Sequence, residues 1–79
     1  MKLPREIRGE ELAKLLKKYG YEITRQTGSH IRLTTTARGE HHITIPANKY
    51  LKIGTLSSIL SDIAGHFKIN KDDLIKELF

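Results

Sequence analysis

Cysteine is absent from this chain of 79 residues, which removes disulfides, thiolate metal sites and cysteine nucleophiles together. That fits a reducing compartment, and a cytoplasmic protein is expected. No apolar run approaches the ~20 residues that a membrane-spanning helix needs. The start, Met1-Lys2-Leu3-Pro4-Arg5-Glu6, lacks the hydrophobic block of a signal peptide. No membrane partner is expected. There is no phosphate-binding glycine loop, no zinc-protease pattern and no serine in a nucleophile elbow. Internal repeats, linkers and low-complexity stretches are missing too, and the length leaves room for one domain, residues 1–79. Such a domain hides only about 60 to 65% of the surface its unfolded chain exposes, so its core is small.

Acidic residues are scarce in the middle of the chain. Residues 24–61 hold Arg25, Arg32, Arg38, Lys49 and Lys52 against Glu40 alone, whereas the flanking segments are closer to balance, and the whole carries a net charge of +5. A central excess of this kind is what a surface that holds a polyanion needs. It also serves as a plain solubilising charge, so charge alone does not decide the function.

The apolar pattern divides the chain into elements. Leu12, Leu15, Leu16 and Tyr19 recur at i, i+3, i+4 and i+7 and predict a helix from about Gly9 to Tyr19, with Gly20 at its left-handed end. Period-two alternation then predicts three strands: Tyr21 and Ile23 facing inward, then Ile31 and Leu33, then Ile43 and Ile45. Turns at Gln26-Thr27-Gly28-Ser29 and Thr36-Ala37-Arg38-Gly39-Glu40 join them, and Pro46 ends the third strand. Leu56, Ile59, Leu60, Ile63, Ala64 and Phe67 predict a second helix with Thr55 as its N-cap; a short third helix begins at Asn70. The fold class is α+β, in the order αβββα plus a terminal helix, with an antiparallel three-stranded sheet covered on one face by helices.

On that sheet His30, Arg32, Thr34, His42 and Thr44 point to the open face. His30 follows the small-residue turn Gly28-Ser29 at the mouth of the second strand, where an imidazole held on a rigid element can act as general acid or base. RNA carries its own nucleophile, the 2′-hydroxyl. Cleaving it requires a group to take that proton, a group to protonate the leaving 5′ oxygen, and positive charge for the crowded phosphorane. His30, His42 and Arg32 are the right residue types, and the route needs no metal or other cofactor and spares DNA. Lys49 and Lys52, leading to the helix start at Gly54-Thr55, suit phosphate contacts, and Tyr50 suits base stacking. The plainer reading makes His42 an ordinary strand residue, His41 structural, His66 a capping or surface group, and the cations solvated charges. A histidine metal site is disfavoured, because adjacent residues of a strand point to opposite faces and His30, His41 and His42 do not easily converge.

These residues resemble a known family. Gly28-Ser29-His30 on the second strand, His42-Ile43-Thr44-Ile45-Pro46 on the third, then Leu51-Lys52-Ile53-Gly54-Thr55-Leu56 with Ile59-Leu60 are similar to the HicA toxins of bacterial toxin–antitoxin pairs. The opening helix followed by Gly20-Tyr21 fits as well, so the resemblance spans nearly the whole chain. It implies a fold like that of double-stranded-RNA-binding domains, an mRNA interferase activity with an essential histidine at His30, and a HicB antitoxin as protein partner. One position departs from the pattern: many members have a histidine after the proline, where this chain has Asn48. His42 is a candidate for the second proton carrier in its place.

The leading expectation is a metal-independent endoribonuclease toxin acting on mRNA. His30 is its acid or base, Arg32, Lys49 and Lys52 hold phosphates, and Gly28-Ser29 support the site. Two other readings share the fold and the charge: an RNA-binding module without catalysis, and an inactive toxin kept for its antitoxin complex.

Overall fold

The first apolar stripe winds into a helix as predicted, but the winding tightens before its end. In the computed structural model, which describes residues 3–47 and 49–79, helix α1 spans Gly9–Leu15 and continues as a 3₁₀ turn over Leu16–Tyr19. Gly20 closes it at φ 82°, a left-handed conformation natural to glycine, with its N–H on the Lys17 carbonyl. The other end of α1 lies against the sheet so closely that a Cβ on Gly9 would sit 1.7 Å from the Pro46 carbonyl oxygen. Only glycine fits there.

Strands β1 (Glu22–Gln26), β2 (His30–Thr35) and β3 (His41–Pro46) form one antiparallel sheet in the order β1-β2-β3. Ile31 pairs with Ile45 and Leu33 with Ile43, so one face of the β2–β3 ladder is apolar and fully covered. Helices α2 (Ile53–Phe67) and α3 (Lys71–Leu78) complete the structure. Their buried residues, among them Leu56, Leu60, Ile63 and Leu74, share one core with α1 and the sheet. The α+β order and the three antiparallel strands agree with the sequence reading. Among the described residues no helix is long and apolar enough to cross a membrane.

Three local expectations need correction. Ile23 is 47% exposed, and no residue of β1 is buried; the inward position goes to Tyr21, which precedes the strand. Ile23 pairs with the inward Leu33 and keeps the helix side, but on the edge strand it borders an open depression with Lys14 and Lys17. Beyond it the strand bulges, since Arg25 pairs with Arg32 and Thr24 is an extra residue. Thr55 does not cap α2. The helix starts at Ile53 after Lys52, whose carbonyl accepts the Leu56 N–H at 2.9 Å, and Thr55 falls inside the first turn. His66 is not a free surface or capping group, because its Nε2–H donates to the Ala37 carbonyl across the β2–β3 turn at 2.9 Å. Asn70, by contrast, caps α3 as predicted, its side-chain oxygen accepting from the N–H groups of Asp72 and Asp73.

Candidate active site

Thr27, Gly28 and Ser29 make the turn that presents His30, and the turn is held from several sides. The Thr27 N–H donates to the His30 carbonyl at 2.9 Å, and the His30 N–H donates to Thr27 Oγ1 at 3.1 Å. The Ala47 N–H donates to the Ser29 carbonyl at 2.9 Å, tying the turn to the end of β3. His30 therefore sits on a fixed backbone with an exposed side chain. Its Nδ1 lies 3.0 Å from Ser29 Oγ, a contact that orients the ring and leaves Nε2 without a partner among the described residues.

A cleft of about 250 Å³ opens beside the ring, lined by Ser29, His30, Pro46 and Lys49. A second depression of about 230 Å³ shares Pro46 and Lys49 and runs past Tyr50, Leu51 and Lys52 to Thr55. Together they form one groove from the imidazole to the N-terminal turn of α2, where unpaired backbone N–H groups favour anions. Tyr50 is 54% exposed, and the Arg8 guanidinium stands 5.0 Å from its ring centroid. The exposed ring and its stacked guanidinium offer a flat surface at the groove edge. Asn48 lies outside the described residues.

The structure brings Ser29, His30, Lys49 and Lys52 to one groove. It does not bring His42 there. His30 pairs with Pro46 and His42 with Thr34, four residues along β2, a separation of about 13 Å at the usual rise of a strand. Both imidazoles share the open face, but His42 is engaged at both nitrogens, by Thr34 Oγ1 at 2.8 Å and by the Glu40 carboxylate at 2.6 Å. Arg32 stands between the two, opposite Thr44, on the same face.

A second polar cluster escaped the sequence reading. Tyr21 is fully buried, and its hydroxyl meets His41 Nδ1 at 2.7 Å; His41 Nε2 meets Asp62 at 3.3 Å. Burial pushes the Tyr21 hydroxyl up to about 12, and the Asp62 charge adds to the effect. This cluster lies at the opposite end of the sheet from His30 and ties β3 to α2. No spacing rule announces it, since its members lie far apart in sequence and only the packing of α2 on the sheet unites them.

Against this geometry, the model of the family HicA toxin of bacterial toxin–antitoxin matches residues 9–64. No curated protein and no solved structure is similar enough to match.

Proposed function

Since the chain belongs to the HicA family, toxins of bacterial toxin–antitoxin systems, we propose that residues 1–79 form one toxin domain that cleaves mRNA in the cytoplasm without a metal. The observation that carries this reading is His30: an exposed imidazole, oriented by Ser29, at the mouth of a groove lined by Lys49 and Lys52. In the reaction the 2′-hydroxyl oxygen attacks the adjacent phosphorus and the bond to the 5′ oxygen breaks. The products are a 2′,3′-cyclic phosphate and a free 5′-hydroxyl. His30 Nε2 carries one of the two protons involved, and water in the open cleft carries the other. Lys49 offsets the charge that builds on the phosphorane, while Lys52 and the first turn of α2 hold a neighbouring phosphate.

His42 has no part in this reading, because the ladder sets it about 13 Å from His30 and both of its nitrogens are engaged. The protein partner is an antitoxin of the HicB type, which silences the toxin by covering the His30 groove. The decisive assay incubates wild type and His30→Ala with a long single-stranded RNA in excess EDTA. Cleavage by wild type alone supports the reading. Equal cleavage by both, or intact RNA in both with translation still arrested by the His30→Ala toxin, overturns it.

A further inference from the structure

The bulge in β1 has an effect on charge. With regular alternation Arg25 would share the helix side of the sheet with Ile23, but the extra residue Thr24 returns it to the open face directly opposite Arg32. Thr24 Oγ1 fixes the distortion through Thr34 Oγ1 at 3.0 Å and the Arg32 carbonyl at 3.4 Å. Two guanidiniums thus face each other across neighbouring strands, with Cβ atoms roughly 5 Å apart, an arrangement that destabilises a sheet when nothing neutralises it. Among the described residues the histidine–carboxylate contacts are His41–Asp62 and His42–Glu40, and neither arginine has a carboxylate partner.

The acids of the open face lie at its other end. Glu22 stands opposite Thr34, and Glu40 holds His42, so carboxylates cluster at the His42 end and arginines at the His30 end. His30 lies on the central strand, with the Lys49–Lys52 groove on the β3 side and Arg25 on the β1 side. Arg32 follows His30 by two residues on the same face, about 7 Å along the strand. That is of the order of one stretched nucleotide.

Building on the proposed ribonuclease reading, we propose that Arg25 and Arg32 form a phosphate clamp. The clamp holds the RNA strand on the side of the scissile bond away from the Lys49–Lys52 groove. The RNA then crosses the end of the sheet from β3 to β1, passing over His30, and is kept from the acidic end. Arginine suits this role because its planar fork can share two donors with one phosphate. Arg25 is a binding residue here and moves no proton.

The test is fluorescence anisotropy with a labelled 2′-O-methyl RNA of about 12 nucleotides, which cannot be cut by the 2′-hydroxyl route and so leaves His30 native. Wild type, Arg25→Gln and Lys17→Gln are compared over a salt series. Lys17 lies on the helix side, beside Ile23, and controls for net charge. Arg25→Gln is expected to weaken binding roughly three- to tenfold at low salt and to lower the slope of log K against log salt by about 0.7, as for one lost phosphate contact. Lys17→Gln should do neither.

Equal slopes for the two variants would overturn the clamp while leaving cleavage at His30 intact. No RNA binding by wild type, together with no cleavage of natural RNA, would remove both proposals. Poly-L-glutamate run alongside separates phosphodiester from acidic peptide. If it bound wild type as tightly as the RNA and lost as much on Arg25→Gln, the pair would be a protein-docking site and the clamp would be wrong.

Discussion

His41 lies flat against His66, ring centroids 4.5 Å apart and planes within 12° of parallel. The stack bridges sheet and helix: His66 donates to the Ala37 carbonyl beyond β2, and His41 joins Tyr21 to Asp62 on α2. One proton arrangement serves all these bonds, with Nε2–H of each ring donating and His41 Nδ1 accepting the Tyr21 hydroxyl. Two histidines outside the groove therefore have structural partners that account for them.

Removing His41 should cost stability through Tyr21. His41→Ala leaves a fully buried hydroxyl without its partner, a loss of about 1–3 kcal/mol. Urea denaturation of His41→Ala, Tyr21→Phe and the double variant should show the double change costing less than the two single costs combined. Simple additivity would mean the hydrogen bond contributes little.

Alkali should unfold the protein through the same group. The Tyr21 hydroxyl has its ordinary value near 10 in the unfolded chain and is pushed up to about 12 in the fold. The folded state thus binds this proton more tightly. Its contribution, of the order of 2 kcal/mol, is complete below pH 10 and is lost as the pH rises from about 10 to about 12. Denaturation midpoints measured up to pH 11.5 should fall more steeply for wild type than for Tyr21→Phe.

Gly9→Ala should damage both fold and site. The new methyl would overlap the Pro46 carbonyl, which is backbone and cannot swing away, and Pro46 forms a wall of the His30 cleft. Overpacking of this kind costs about 1–3 kcal/mol or more. Thermal melts should show the loss, and RNA cleavage per folded molecule should fall as well. By contrast Gly28, Gly54 and Gly65 have open space where a Cβ would go.

Ser29→Ala tests whether the orientation of His30 matters. It removes the Oγ contact to Nδ1 and keeps the backbone bonds of the turn. Initial-rate cleavage should drop by roughly tenfold, less than the loss on His30→Ala, since the imidazole survives but turns freely. An unchanged rate would mean that the strand backbone alone fixes the ring.

Local rules made much of this structure legible. Gly20 ends its helix in the left-handed conformation, Ile31, Leu33, Ile43 and Ile45 alternate inward, and Asn70 caps α3, because each depends on near neighbours in the chain. The failures share a cause in register and packing. Alternation alone cannot reveal that Thr24 is a bulge, which sets Arg25 opposite Arg32, or that the edge strand leaves Ile23 half open to solvent. Nor can it count the rungs between His30 and His42. Thr35, a polar residue 1% exposed, is tolerated inside because Tyr19 and Ala37 satisfy its hydroxyl, a fact that needs the folded chain.

The pieces of the His30 cleft all come from one short stretch, from the Ser29 turn to Lys49, built on the β2–β3 hairpin. Hairpin pairing is a microsecond event that needs little chain. Yet the reverse face of that hairpin is Ile31, Leu33, Ile43 and Ile45, which only α1 and the later α2 and α3 can cover. During synthesis the residues of the cleft are joined to the chain before those of α2 and α3, so the hairpin is spelled out while the cover for its apolar back is still to come. The His30 cleft thus becomes a stable object only when the last helices dock, so its existence depends on residues late in the chain that form no part of its lining.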